Sequence, residues 1–535
     1  MEVEEREATA GPAAEPDRSF SESEGEDVEE VYKATEQETR DTTAEEHRCG
    51  KDVQGIPWHL LNFTRQEYRD DRVRQYENYM NLEEQVNKNK EKLEGEITPV
   101  AQTGQWFEFS MNNRSIHATV VHFQLRNLVW PTSNHDVFLS HQRFGARGGA
   151  VLHWNTASQQ SHKVLDLTAV AATSSDSPLS PVQISTTCVA HDLVAVGGFN
   201  GELVVKSLAV EQPVSSVRVS MSDNSITNGI EVFMGPSGIP SMLVSNNDQL
   251  VRIFDATRLT CLSSTALEWA ANYAVACPTD PKLVGIVGDH PEGMMWDSSS
   301  GRMVTVLQGH LDYSFAAAWH PDGHLFATGN QDCCARIWDM RKPEQALHVL
   351  RGNMGAIRSL RFSNDGRFLA MAEPADFVHI FDTSTGFSRS QVVDVFGDVA
   401  GIGFSPMTDT FFMAITLEDY SSLLTLSRRR NWGSIHIRVG STQGAGDEGQ
   451  HGETCWMVIL RNKHQIANSL SHCDGLSAEA LSRDRACQVR VLCSANSGLM
   501  CLLAALAEGC YCYLPPWCLA ADDMVPSTSH SSCEP

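Results

Sequence analysis

The chain is poor in positive charge: over 535 residues, 41 Lys and Arg stand against 67 Asp and Glu, a net charge of −26 with an isoelectric point near 5.1. Nucleic acid, which is gripped by dense basic patches, is therefore not expected as a partner. Long apolar runs are scarce too. The opening MEVEEREATA has no apolar core like that of a secretory leader. The longest uncharged run, Val491 to Ala507, has 17 residues and includes Ser, Asn and Gly, which is too short and too polar for a membrane span. A cytoplasmic or nuclear home and no membrane partner are expected. Of 15 cysteines only six precede residue 431, and none forms a C-x-x-C pair, so neither a disulfide framework nor a zinc site is expected. There is no G-x-x-x-x-G-K-[ST] or H-E-x-x-H motif, and no cofactor or metal is expected.

What is present is a repeat. GHLDYSFAAAWHPDGHLFATGNQDCCARIWD runs from Gly309 to Asp339, and GNMGAIRSLRFSNDGRFLAMAEPADFVHIFD from Gly352 to Asp382. Gly309 falls on Gly352, Trp319 on Phe362, Asp322-Gly323 on Asp365-Gly366, and Trp338-Asp339 on Phe381-Asp382, each pair 43 positions apart. Short runs of Val, Ile, Leu, Phe and Thr, punctuated by Gly, Asn, Asp and Pro, continue this texture from Trp106 onward as antiparallel strands would require. HPDG at His320–Gly323 and SNDG at Ser363–Gly366 read as hairpin turns, the Gly supplying positive φ.

These residues resemble the WD40 repeat family. The resemblance implies an all-β fold, a seven-bladed WD40 β-propeller over residues 104–428, with blades near 118–168, 182–215, 224–265, 268–306, 310–349, 353–393 and 397–426. WFEFSMN at 106–112 is expected to supply the strand that closes the ring. Further stretches, among them GKDVQGIPW, HFQLRNLVW and SNNDQLVRIFD, resemble a WD-repeat (transducin-like) family of plants and fungi over residues 32–431, a resemblance that implies no particular activity.

Outside the repeats, residues 1–50 hold 17 Asp and Glu against 5 Lys and Arg with few large apolar side chains, and are expected to be a disordered acidic arm. Residues 51–100 read as a helical lead-in. Thr64 and Glu67 form a capping-box pattern, Tyr68, Tyr76, Tyr79 and Met80 give a partial apolar stripe, and Ile56, Trp58, Leu60 and Leu61 are expected to anchor it on the propeller. Residues 431–535 lose the periodicity and are expected to be an irregular, divergent tail.

Several constellations bear on function. His310, Thr328, Asp332 and Trp338 contain the hydroxyl, imidazole and carboxylate that nucleophilic catalysis uses. The WD40 resemblance instead implies a structural tetrad, with indole, hydroxyl, imidazole and carboxylate bonded in series inside one blade. No catalytic residue is assigned, and the chain is expected not to be an enzyme. In the next blade Asn353 and Phe381 stand in for the His and Trp, and the turn Asp moves to Asp376, so that blade is expected to be held more by packing. Asn272, Tyr273, Tyr313 and Arg358 lie in lead-ins to innermost strands, where propellers meet partners, so they are candidates for protein binding. The alternative for each tyrosine is packing under its own loop. Finally, Trp338-Asp339-Met340-Arg341 resembles the WDxR box by which some propellers dock on the adaptor of cullin-RING ubiquitin ligases. Two readings follow: a non-enzymatic scaffold that holds protein partners on its propeller face, or a ligase substrate receptor using Trp338, Asp339 and Arg341.

Overall fold

The computed structural model describes residues 40–81, 91–142, 148–168, 181–209 and 214–429, together with four short backbone stretches at 436–437, 457–458, 476–483 and 486–493. The chain divides into two compact units, Met1–Arg429 and Arg430–Pro535. In the second unit the backbone forms two antiparallel pairs, His436–Ile437 with Met457–Val458 and Leu476–Arg483 with Ala486–Cys493. The rest of the expected tail lies outside the described residues.

The first unit is built from antiparallel sheets. Five are four-stranded; they begin at Val129–Pro131, Ile184–Ala190, Thr227–Met234, Ala271–Ala276 and Ser314–Trp319. A sixth, eight-stranded sheet starts at Ser359–Phe362 and runs through Phe368–Ala372, Ala375–Asp382, Ser390–Phe404, Thr410–Thr416, Ser422–Arg428 and Phe107–Asn113 to Thr42–Thr43. The 15-residue strand Ser390–Phe404 serves two neighbours: its first half pairs with Ala375–Asp382 and its second half with Thr410–Thr416. Gly397 lies between the halves at φ +115°, a backbone state that side chains other than glycine rarely adopt.

Burial grades outward across each sheet. Ala271–Ala276 is buried along its whole length, while the fourth strand of that sheet, Arg302–Leu307, is mostly exposed. Such innermost strands lie against neighbours on both sides and read as continuous apolar or small-residue runs. Taken in order, they adjoin one another from Val129–Pro131 round to Ser390–Phe404, which adjoins Val129–Pro131 again. The core therefore fills the spaces between successive sheets. One such layer joins Tyr273, Val287 and Met295 to Trp319, Phe326 and Trp338. Close packing sets the residue size there: a Cβ on Gly285 would come within 2.4 Å of Phe326 Cζ.

Closure comes from the expected segment. Phe107–Asn113 pairs antiparallel with Ser422–Arg428, placing Phe107 opposite Arg428 and Asn113 opposite Leu423, so the last repeat gains its outer strand from the front of the chain. Thr42–Thr43 then pairs with Asn112 and Met111. This corrects the expected disordered arm over 1–50. Residues 40–50 are ordered because Thr42 is fully buried at the sheet edge and Thr43 caps a short helix, α1 (Ala44–Arg48), in a reciprocal capping box with Glu46. Residues 1–39 lie outside the described residues.

Among its described residues, the lead-in is less helical than expected. After a 3-10 turn at Trp58–Leu60, α2 spans Arg65–Gln75 with the Thr64/Glu67 capping box, and residues 91–96 form a further helical turn. At Tyr76 the backbone turns extended, at ψ 120°, and leaves the helix. Of the expected anchors, Ile56 is buried and Trp58 half-buried, whereas Leu60 and Leu61 are exposed. The buried residue of α2 is an arginine, Arg69.

Removing residues up to 114 would strip Ser422–Arg428 of its partner and expose a long apolar edge. Such a truncation is expected to abolish the cooperative thermal transition seen for the full chain, as followed by circular dichroism.

Candidate functional site

The tetrad side chains meet in the fifth sheet. Thr328 and Trp338 sit on the adjacent strands Leu325–Asn330 and Cys334–Asp339, His310 lies in the loop before Ser314–Trp319, and Asp332 in the tight turn after Asn330. Trp338 Nε1 donates to Thr328 Oγ1 at 3.0 Å, Thr328 Oγ1 lies 2.8 Å from His310 Nε2, and His310 Nδ1 lies 2.9 Å from Asp332 Oδ2. The turn is tied down further, since Leu311 N donates to Asp332 Oδ2 and Cys334 N to Asp332 Oδ1. The His310 and Asp332 side chains are only 2% and 1% exposed. Each polar group has a partner within the sheet, and none of the four opens on a cleft where a substrate would reach it.

The next repeat, expected to be held more by packing, also has a polar centre of its own. Its polar centre is Glu373, fully buried, whose carboxylate accepts from the backbone N–H groups of Asn353, Met354 and Gly355 at 2.6 Å each and lies 2.8 Å from His379 Nε2. A glutamate at the end of the second strand and a histidine on the third thus tie the turns that His310 and Asp332 tie one repeat earlier. Sequence comparison missed this because the same job is done from different register positions.

The displaced Asp376 has a separate role. It holds α2: Arg69 Nη1 approaches Asp376 Oδ2 at 2.5 Å, Arg72 donates from Nε at 2.7 Å and from Nη2 at 2.9 Å, and Gly397 N donates to Oδ1 at 2.9 Å. Asp394 adds contacts to Arg65 and Arg69, and the Arg69 guanidinium is stacked between the rings of Phe377 and Phe396 at 4.5 and 4.1 Å. Arg65, Arg69 and Arg72 recur at spacings of four and three, one face of a helix, and this basic stripe was the legible signal that the apolar reading passed over.

From α2 the chain crosses the mouth expected to receive partners. Asn78 Nδ2 donates to Gln331 O at 2.8 Å, and its Oδ1 accepts from Gln331 Nε2 and Ala356 N. Asn81 engages the Asp312 carboxylate through its backbone N at 2.9 Å and its Nδ2 at 3.0 Å. The Tyr76 ring lies against Gly355, and the Tyr79 ring meets Phe123 edge-on at 5.8 Å. Tyr79 and Phe123 are themselves exposed.

This placement corrects three of the four mouth candidates. Tyr273 is 6% exposed, with its hydroxyl donating to Glu231 at 2.8 Å between sheets. Asn272 is 5% exposed and donates to Asp289 and to Ser314 O. Arg358 is 5% exposed, bonded to Gln331 and stacked over Phe315 at 3.9 Å. Asn272 and Tyr273 lie within the innermost strand Ala271–Ala276 and Arg358 just before Ser359–Phe362, where neighbouring sheets cover them. Tyr313 is half-buried.

In the WDxR-like box, Trp338 is fully buried, while Arg341 is exposed and closes on Asp339 in a two-bond fork at 2.8 and 2.7 Å. That hydrogen bonding holds the Asp339 carboxyl down at about 2. Among the described residues no group of three or more His, Cys, Asp or Glu is arranged to hold a metal ion, and no helix is long and apolar enough to cross a membrane.

Thr328→Val would leave the His310 and Trp338 nitrogens without their shared partner in a buried site. A loss of about 2 kcal/mol or more is expected in denaturant unfolding. Asp376→Ala would remove the buried carboxylate that Arg69 and Arg72 share, leaving Arg69 with Asp394, and is expected to cost about 3 kcal/mol in the same measurement.

Two family models match the chain: the WD domain, G-beta repeat, over residues 301–339, and an uncharacterised protein domain (DUF2415) over residues 355–394. Curated relatives include pre-mRNA-processing factor 19 homolog 2 of Arabidopsis thaliana, 24% identical over 46% of this chain and 45% of the relative. Cell division cycle 20.1, cofactor of APC complex, from the same plant is 28% identical over 24% and 26%, respectively. The guanine nucleotide-binding protein subunit beta of Oryza sativa subsp. japonica is 24% identical over 21% and 32%. The chain thus spans less than half the length of each of these relatives. The 43-residue periodicity, the four-stranded antiparallel sheets, the repeat match at 301–339 and these relatives together make the chain a WD40-repeat protein of all-β, propeller type.

Proposed function

We propose that this protein is a non-enzymatic scaffold, a seven-bladed propeller over residues 104–428 that holds protein partners on the face crossed by its own lead-in. Dividing the eight-stranded sheet within Ser390–Phe404 and adding the five four-stranded sheets supports seven blades. WD40-repeat proteins are typically protein-interaction scaffolds, which favours this class of role. The observation that carries the reading is the contrast between the two kinds of side chain present. The groups with chemical potential, His310, Asp332, Glu373 and His379, are buried and bonded within their blades. The mouth, in contrast, presents exposed aromatic and apolar groups, with Tyr79 at 54%, Phe123 at 45% and Met80 at 39%. Exposed aromatic side chains make strong anchors in protein interfaces.

The ligase-receptor reading draws on Trp338, Asp339 and Arg341. Arg341 faces outward, but its guanidinium fork is already engaged by Asp339, so an adaptor carboxylate would have to compete for it.

Affinity capture from native extract with mass spectrometry tests both. The double change Tyr79→Glu and Phe123→Glu, with an unaltered melting temperature, is expected to reduce recovery of the principal partners at least about tenfold, the effect of losing one or two interface anchors. Undiminished recovery would refute the mouth as the interface. Arg341→Ala is expected to leave the captured set unchanged, and selective loss of a cullin-ligase adaptor would establish the alternative.

A further inference from the structure

Beneath the lead-in, two arginines share the channel wall. Arg126, just before Val129–Pro131, and Arg358, just before Ser359–Phe362, are each 5% exposed, and both line a cavity of about 20 Å³ with Gln124, Phe315 and Ser359. Their hydrogen bonding is incomplete. Arg126 donates from Nη1 to His122 O at 2.6 Å, and Arg358 from Nη2 to Gln331 Oε1 at 2.6 Å. Arg126 Nε and both Nε and Nη1 of Arg358 are buried without a partner.

The surrounding charges do not supply one. Asp398 comes no nearer than 3.9 Å to Arg126 Nη2 and is itself about half exposed. The Asp312 oxygens receive Asn81 N, Asn81 Nδ2 and Tyr313 N. Deeper in the channel, Glu231 is occupied by the Tyr273 hydroxyl and faces Arg361, which donates to Asn127. His122 is uncharged near neutral pH, because burial and the two arginines push its pKa down to about 4. Two arginines thus line one poorly solvated space with buried N–H groups that have no acceptor, an arrangement that is costly unless an anion completes it.

We propose that the channel binds one small monatomic anion of the halide class between Arg126 and Arg358, held by their otherwise unpartnered N–H groups. Size favours the class: a cavity of about 20 Å³ has room for a single particle of roughly water size. Chloride is the natural representative. Its seat lies under the Tyr76–Asn81 segment, so it ties the floor of the mouth together without depending on which partner the mouth receives.

The test uses the full chain. Thermal midpoints are measured in sodium chloride and in sodium gluconate at equal sodium concentration; gluconate is too large to enter, and excluded solutes strengthen burial if they do anything. Chloride is expected to raise the midpoint by at least about 2 °C through binding to the folded state alone, and the rise is expected to vanish in Arg126→Gln and Arg358→Gln. Should either variant fail to fold, chloride-35 resonance on the wild type decides: the protein is expected to broaden the chloride signal, and bromide to reverse the broadening by competition. Equal midpoints in the two salts, a chloride rise that persists in both variants, or an unbroadened resonance would overturn the proposal and leave water as the occupant.

Discussion

Everything in the first unit depends on ring closure. An innermost strand such as Ile184–Ala190 is buried along nearly its whole length only because a neighbouring sheet lies on each side of it. That condition is met at every position only if the last sheet also meets the first. The pairing of Phe107–Asn113 with Ser422–Arg428 joins the two ends of the repeat region by main-chain hydrogen bonds, across more than 300 residues of sequence. Phe107 also inserts its ring among Phe368, Phe404 and Phe411, so closure is secured by packing as well as by the ladder. Opening that seam would leave Ser422–Arg428 as an additional, exposed apolar edge.

Within the ring, neighbouring blades meet one demand by different means. Each blade must hold the loop entering its first strand against the turn between its second and third. The fifth sheet does so with a neutralising series from indole to carboxylate through Thr328 and His310. Its neighbour centres the same task on Glu373, which gathers three consecutive backbone N–H groups and His379. In both, full satisfaction of every buried polar atom is what makes the arrangement tolerable, and it also withdraws those groups from chemistry. Freed from that task, Asp376 becomes the anchor for α2 through Arg69 and Arg72. The lead-in is thereby drawn over the mouth, where Asn78 and Asn81 bond to blade residues. The face a partner would meet is thus partly made of the chain's own N-terminal segment.

Legibility differed sharply between these features. The repeat, its hairpin turns and the strand near residues 106–112 could be read directly, because glycine in a tight turn and alternating apolar runs leave local marks. Gly323 and Gly366, at φ +74° and +70°, are examples. The tetrad residues could be listed because four side-chain types recur at family spacing. The mouth could not be read in the same way. Tyr273 and Arg358 look like surface anchors in sequence and lie buried, since whether a lead-in side chain points into the channel or out of it depends on the neighbouring blade. The docking of α2 was misread for a related reason. An arginine is ordinarily taken as solvent-facing, and Arg69 is buried only because Asp376, Asp394, Phe377 and Phe396 converge on it from residues some 300 positions away.

By itself, the order of residues determined the periodic short strands, the all-β class and the hairpin turns, since each follows from local propensity and a repeat that a single chain can display, while the closing segment was what the WD40 resemblance implied. The tertiary structure alone decided which polar groups are satisfied, where the lead-in lies, and which arginines end with unpartnered N–H groups in the channel. Those outcomes rest on distances between residues far apart in the chain, and such distances come into being only when the ring closes.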